Sequence, residues 1–214
     1  MTDTKLTAPP PAQAPEGPDA SGLAALEVLL SRSSNNMLMD PAPDGANLNL
    51  ILQAASRAPD HGRLTPWRFV VIRGGARQAF TKLLREATLA RDPEIPPAAL
   101  NKIDRLGQTP LIIAIGTDLK DSAFPRSEQE LSGAAAAMNI LNAVHALGYA
   151  GKWVTGGNSH DPAVHAALGF TPPNRVLGFL LIGTARMALP EQDRPVPADY
   201  AVEWLGPKET RPLG

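Results

Sequence analysis

The stretch ILQAASRAPDHGRLTPWRFVVI, residues 51–72, joins a predicted helix to a predicted strand. Apolar residues in and just before its first part recur every three or four positions, which is typical of a helix with one buried face, and Pro59 stops that helix. The β-branched and aromatic residues at 67–72 predict a strand, and Gly74 and Gly75 provide its exit. The apolar stripe of the helix consists of Leu48, Ile51, Leu52 and Ala55.

Helices and apolar strands also alternate on both sides of this stretch. Further helices are predicted at about residues 22–31, 80–87, 98–107, 127–147 and 162–169. Further strands are predicted at residues 111–116, 152–155 and 175–185. This order, with more helix than strand and no internal repeat, predicts three layers around one central sheet. The proline-rich remainder carries Val202, Trp204 and Leu205, which need either the chain's own core or a partner subunit to bury against.

Composition and charge exclude several classes of protein. The chain has 214 residues, which suits one domain, and its net charge of -1 lacks the basic excess of a nucleic-acid binder. It contains no cysteine, which excludes disulfides, thiolate metal sites and a cysteine nucleophile. Because neither a membrane-length apolar run nor a signal peptide is evident, we expect a cytoplasmic protein without a membrane partner. We expect a disordered Pro/Ala-rich tail at residues 1–20, one domain at residues 21–205 and a C-terminal tail at residues 206–214.

Several common cofactor and catalytic motifs are absent from the sequence. It has no G-x-G-x-x-G after a predicted strand, no G-x-x-x-x-G-K-[ST] phosphate loop and no G-x-S-x-G nucleophile elbow. His160 and His165 are five residues apart across a predicted helix start, so they do not share a helix face as a metal pair would. Four histidines without cysteine therefore predict no metal site, and an enzyme of this composition would depend on an organic cofactor.

Three segments together resemble a known family. They are LEVLLSRSSNN at residues 26–36, the stretch at residues 51–72, and LGYAGKWVTG at residues 147–156. In order and with fitting spacing, they resemble the nitroreductase family of FMN-dependent oxidoreductases, in particular its short YdjA-type branch. The resemblance covers residues 21–205. It implies an α+β fold of three layers, with a central mixed sheet flanked by helices, in a homodimer that exchanges C-terminal tails and holds FMN at the subunit interface.

The resemblance assigns the FMN phosphate and ribityl end to the SRSS turn, through Arg32, Ser33 and Ser34. An FMN phosphate is nearly dianionic, and a guanidinium fork with hydroxyl donors suits it. The family pattern has a second arginine where this chain has Ser33, and Arg194 is the candidate for replacing that charge. The alternative for Arg32 is a cation that stabilises the end of the first helix.

The resemblance also implies that Arg57, at the end of the second helix, and His61 reach an FMN held mainly by the other subunit. The alternative for Arg57 is a surface arginine matched to a helix dipole. The alternative for His61 is a turn residue that caps backbone groups.

The third segment is expected to contact the flavin ring through Trp153, Val154, Thr155 and Gly156. Glycines let a backbone approach the ring closely, and a plain loop hinge is the alternative. The family branch often has arginine where this chain has Val154.

The function implied by the resemblance is hydride transfer from NADH or NADPH, through FMN, to a small electron-poor acceptor such as a nitroaromatic or a quinone, by a ping-pong mechanism. The flavin N5 carries the chemistry in this scheme, so no catalytic side chain is assigned. One alternative is a protein that stores, delivers or senses FMN with little turnover. Another is a dimeric scaffold without cofactor.

Overall fold

The predicted helices and strands occur in the predicted order as far as residue 185, and a two-residue strand at Leu38–Met39, which was not among the predicted strands, lies between the first two helices. The computed structural model describes residues 17–190 and 192–213, so residues 1–16 of the predicted disordered tail lie outside the described residues. The helices are α1 (Ala20–Ser31), α2 (Gly45–Ala55), α3 (Ala76–Arg91), α4 (Pro97–Gly107), α5 (Arg126–Ala146) and α6 (Pro162–Ala167). The strands are β1 (Leu38–Met39), β2 (Trp67–Arg73), β3 (Leu111–Thr117), β4 (Ala150–Val154), β5 (Val176–Ala185), β6 (Val202–Gly206) and β7 (Glu209–Pro212).

Five strands form the central sheet. Strands β1, β5, β3 and β2 are neighbours in that order, and β4 also pairs with β5. These strand pairs are antiparallel. A parallel bridge joins Ser34 to Gly151 in β4, so the sheet is mixed, as expected.

Strand β3 is buried along its whole length and separates two halves of the core. Successive side chains of a strand point to opposite faces, so its alternate residues enter different layers. The odd-numbered residues from Leu111 to Ile115 pack with α2 and α5. Ile112 and Ala114 pack with α3 and α6 on the other face. Each buried isoleucine here contributes about 1.5–3 kcal/mol relative to exposure, and the two packed faces confirm the three-layer α+β architecture.

Two helices end earlier than predicted. Helix α2 ends at Ala55, so Arg57 lies in the turn after the helix and does not end it. The residue before a proline disfavours helical geometry, which explains why the helix stops well before Pro59. Helix α6 ends at Ala167, and Gly169 follows it with a positive φ of 78°.

A β-hairpin near the C-terminus was not predicted. Strands β6 and β7 pair antiparallel, and Glu203 and Arg211 form an ion pair across them. The hairpin crosses the predicted boundary between residues 205 and 206, and the division into domain and tail stays a prediction. Charged residues and prolines hide its strand pattern in the sequence. Trp204 is 70% exposed on this hairpin.

Helix α1 exposes apolar surface. None of its residues is buried, although Asp19 caps its first turn by accepting a hydrogen bond from the backbone N–H of Gly22. Its exposed leucines are Leu23, Leu26, Leu29 and Leu30. The helix and the hairpin therefore both leave large apolar side chains in solvent, which is a common feature of protein interaction surfaces. None of the helices within the described residues has the length and apolar character needed to cross a membrane.

Candidate functional site

A cavity of about 250 Å³ lies where α1 ends beside the first residues of β4. The SRSS turn brings Arg32 and Ser33 to its wall, and α5 contributes one face of side chains. Its other lining residues are Asn35, Leu141, His145, Gly148, Tyr149, Ala150, Gly151, Ala185 and Leu189. Ser34 is exposed, and its neighbour Asn35 donates a backbone hydrogen bond to Gly151 O at 3.3 Å, which fixes the turn against β4.

The guanidinium of Arg32 is the outstanding polar group of this cavity. Its Nε and Nη1 are buried, and among residues 17–190 and 192–213 neither atom has a hydrogen-bond partner. Burial, together with the nearby charge of Arg194, lowers the pKa of Arg32 below its usual value. An unsatisfied buried donor costs about 1–3 kcal/mol, and an anion is the complement that would remove this cost.

Arg194 is a second cation at this place. Its Nη2 donates to the carbonyl oxygen of Arg32 at 3.5 Å, across 162 positions of sequence. The structure therefore brings together Arg32, Ser33 and Arg194. Two neighbouring cations favour binding of an anion, because a negative charge between them relieves their mutual repulsion.

Sequence reasoning missed three residues of the cavity wall. The side chain of Asn35 is buried and donates to Met187 O at 3.2 Å. His145 Nε2 lies 2.8 Å from the Ser31 hydroxyl, and the hydroxyl of Tyr149 accepts a hydrogen bond from the Asn47 side chain at 3.2 Å. The helical spacing from Leu141 to His145 was a usable signal, whereas the places of Asn35 and Tyr149 depend on strand pairing.

The third segment runs along β4 and leaves the sheet at its end. Trp153 packs with the α2 and α5 layer, whereas Val154 packs with the α3 and α6 layer. Thr155 and Gly156 follow the strand and are exposed. Gly156 has a φ of 126°, a conformation that side chains with a Cβ rarely adopt, so this position favours glycine.

Trp153 is fixed by its contact with a glycine on the neighbouring strand. A Cβ at Gly178, which has a φ of 150°, would lie 2.0 Å from Trp153 Nε1 and 2.8 Å from the carbonyl oxygen of Val154. The indole Nε1 is buried without a partner in the described part of the chain. Gly178 therefore decides how closely β4 and its tryptophan approach β5.

Replacing Gly178 with alanine should lower the free energy of unfolding by about 2–4 kcal/mol, because steric overlap adds to backbone strain. The matched control is Gly206→Ala, since Gly206 has a similar φ of 144° but no atom within 4 Å of the added Cβ. Urea titration measures both variants. Equal losses would show that the contact with Trp153 is not tight.

Lys152 lies on the side of β4 that faces the SRSS turn. Its amine donates to Asn36 Oδ1 at 2.7 Å. Burial lowers the pKa of Lys152 below its usual value. Lys152 thus ties the turn to the strand instead of joining the cations at the cavity.

Arg57 and His61 lie elsewhere in the single chain. Arg57 is exposed and lines a separate apolar groove of about 410 Å³ between α1, α2 and α5. His61 Nδ1 lies 2.8 Å from Glu128 Oε2, and its ring stacks on Phe124 with centroids 3.6 Å apart. Arg57 and Arg32 thus line separate pockets, to which different residues of α5 contribute.

Metal ligands do not converge in the described ranges. Within residues 17–190 and 192–213, no three histidine, aspartate or glutamate side chains lie close enough together to hold a metal ion. The chemistry that this arrangement offers is recognition of an anion by two arginines near the start of β4, with an exposed glycine turn after the end of the same strand.

Comparison with known proteins places this geometry in a family. The model of the nitroreductase family matches residues 30–184. The chain is 36% identical over 165 residues to "Putative NAD(P)H nitroreductase YdjA" of Escherichia coli (strain K12), covering 76% of this chain and 89% of that protein.

Solved structures show the same fold. A nitroreductase-like family protein from Bacillus cereus aligns with a TM-score of 0.73 at 21% identity, over 85% of this chain and 96% of its own. A nitroreductase from Desulfovibrio desulfuricans, solved in complex with FMN, aligns with a TM-score of 0.66 at 24% identity, over 86% of this chain and 98% of its own. The expected fold class is thereby confirmed.

Proposed function

This chain belongs to the nitroreductase family, and from that premise we propose that it is an FMN-dependent oxidoreductase that uses NADH or NADPH. The observation that carries the proposal is the buried guanidinium of Arg32, whose Nε and Nη1 have no partner within the chain as described. One of the solved structures with this fold contains FMN. The Escherichia coli protein that is 36% identical to this chain is named as an NAD(P)H nitroreductase. An FMN phosphate would supply Arg32 with a negative charge and with acceptor oxygens, which the described residues do not supply.

The residues at the cavity fit a phosphate. Arg32 supplies a planar fork whose Nε and Nη1 bond to no described residue, and Arg194 supplies a second positive charge beside it. Ser33 adds a hydroxyl at the wall, and we assign the exposed Ser34 to the same end of the cofactor. Arg194 thus takes the electrostatic place of the arginine that the family pattern has at position 33.

The ring end is assigned to the segment that leaves β4. Trp153 is held on Gly178 and gives this segment a rigid base, while the exposed backbone of Thr155 and Gly156 offers donors and acceptors to a planar ring. Val154 contributes apolar packing without charge. Bound FMN would supply hydride chemistry between NAD(P)H and an electron-poor acceptor, so the side chains need only bind, orient and limit water. The two substrates would use one binding face in turn, as ping-pong kinetics require.

The proposed assembly is a homodimer with FMN at the interface and with exchanged C-terminal tails. The leucines of α1 and the exposed hairpin provide apolar surface for such an interface. Arg57 and His61 lie away from the cavity of their own chain, so a second subunit would have to bring them to the cofactor. A small-molecule acceptor, such as a nitroaromatic or a quinone, is the remaining partner.

The visible absorption spectrum tests this function. We expect purified protein, with FMN added if needed, to show two flavin bands that bleach when NADPH or NADH is added without oxygen. Readmitted oxygen or a quinone should restore the bands. Protein that retains no flavin bands after incubation with FMN and desalting would contradict the proposal.

A second candidate is a protein that stores or senses FMN. Val154 is an apolar residue packed against the core, where the family branch often has arginine. This favours the second candidate, because fewer positive charges would surround the flavin ring. It predicts flavin bands that persist in excess NADPH and NADH. The same experiment therefore separates the two functions.

A further inference from the structure

Arg91, at the C-terminal end of α3, joins that helix to the segment that follows β4. Its Nη1 forms an ion pair with Asp161 Oδ2, and its Nη2 donates to Asn158 Oδ1 at 2.8 Å. Thr88, one turn earlier on α3, donates from its hydroxyl to the same oxygen of Asn158 at 3.0 Å. Two side chains of α3 thus hold one short loop.

Asp161 is a strong anchor for this loop because it is already fixed by a helix. Its side chain is 7% exposed, and Oδ1 caps α6 by accepting hydrogen bonds from the backbone N–H of Ala163 and Val164 at 2.9 and 3.3 Å. Although burial works in the opposite direction, hydrogen bonds from Arg91 and from these two N–H groups hold the pKa of Asp161 below its ordinary value. The carboxylate is therefore charged at neutral pH.

The loop is also closed on itself. The hydroxyl of Ser159 donates to Gly156 O at 2.8 Å, and its backbone N–H donates to the same oxygen at 2.9 Å. His165 Nε2 lies 2.8 Å from Ser159 O. A shift of Asp161 or Asn158 would therefore carry Gly156 with it.

The guanidinium lies directly behind the glycine pair. A Cβ at Gly157 would be 3.0 Å from Arg91 Nη2, whereas a Cβ at Gly156 would meet no atom within 4 Å. One side of the pair is thus supported by Arg91, and Gly156 is open to solvent.

We propose that Arg91 is a positioning residue that fixes the backbone of Thr155–Gly157 through Asn158 and Asp161, so that this backbone meets the flavin ring at a set distance. This inference rests on the proposed FMN function. Among the residues that the structure describes, the hydrogen bonds of Arg91 go to Asp161, Thr88 and Asn158, so its effect should fall on the ring end of the cofactor.

The test compares Arg91→Gln with Arg85→Gln. Arg85 lies on the same helix and has the same 37% side-chain exposure as Arg91. It pairs with Asp104 on α4 and not with the loop. The double variant Arg91→Gln with Asp161→Asn leaves no unpaired buried carboxylate, and asparagine can still cap α6. The full-length chain is measured with and without FMN.

Two measurements are made on each variant. Amide hydrogen exchange at Ser159, whose backbone N–H donates to Gly156 O, should be about tenfold faster in both Arg91 variants than in Arg85→Gln, a change on the scale of one lost charged hydrogen bond. The ratio of affinities for oxidised and reduced FMN, obtained from the flavin potential, should change about tenfold, again on the scale of one such bond, whereas Arg85→Gln leaves it unchanged.

The outcomes separate this inference from the proposed function. Unchanged exchange in the Arg91 variants would overturn the positioning role, even if the wild-type chain binds FMN. Faster exchange with an unchanged affinity ratio would overturn the link between the loop and the ring. A wild-type chain that binds no FMN would overturn the proposed function, and the inference would fall with it.

Discussion

Replacing Arg32 with alanine should weaken FMN binding by about 10- to 150-fold, or ~1.5–3 kcal/mol, the scale of a hydrogen bond to a charged group. The side chain carries two buried N–H groups that no described residue satisfies, and Arg194 lies against the backbone of Arg32, so a bound phosphate would gain both contacts and charge. Fluorescence titration of FMN measures the dissociation constant.

The same substitution should have the opposite effect on the flavin-free chain. Alanine removes a desolvated cation that lies near Arg194, so the melting temperature without FMN should stay equal or rise. Arg32→Lys keeps a charge but loses the planar fork, and it should recover only part of the affinity. Arg105→Ala, an exposed change on α4, controls for net charge. A loss of stability without FMN and an unchanged dissociation constant would make Arg32 a structural residue at the end of α1.

Mixing two defective variants should restore FMN binding if each site is built from two subunits. Arg32→Ala and Arg57→Ala are each expected to bind FMN weakly, because each variant removes one of two arginines that lie at separate pockets of one chain and that the proposed dimer brings to the same cofactor. In a mixed dimer, one site receives both alanines and the other receives both arginines. Random exchange of subunits should therefore restore about one quarter of all sites to full affinity.

The measurement is the stoichiometry of tight FMN binding after the two variants are unfolded together and refolded. Separate refolding of each variant, followed by mixing on ice, is the control. Sedimentation should show twice the mass of 22.6 kDa for the wild-type chain. A flavin-loaded monomer, or no recovery after joint refolding, would place the complete site within one chain.

Local pattern predicted most of the secondary structure because the core elements carry simple periodicities. The continuous apolar run at Leu111–Thr117 is a strand buried on both faces, and the Ala-rich segment is the long helix α5. The sequence pattern failed to predict strands where the residues are of types that are uncommon in strands but the backbone nevertheless pairs. The β6–β7 hairpin contains a proline and several charged residues, so its sequence resembles a loop although its backbone pairs as strands.

The candidate site divides in the same way between local and long-range information. The SRSS turn and the glycine turn after β4 are recognisable in the sequence, because the need for a guanidinium fork or a glycine at positive φ is local. The neighbours of these residues are not recognisable. Arg194 reaches Arg32 only because the chain after β5 returns to the end of α1, and Arg91 reaches Asp161 only because α3 packs behind the loop.

The sequence thus determined the family, the order of elements and the identity of the residues offered to an anion. The fold alone determined which of them meet. It placed Arg32 and Ser33 at one cavity, brought Arg194 against Arg32 and left Arg57 at a separate groove. The physical reason is that residue type and spacing encode local backbone geometry, whereas contacts across many positions follow from how the buried faces of β3, β5 and α5 pack together.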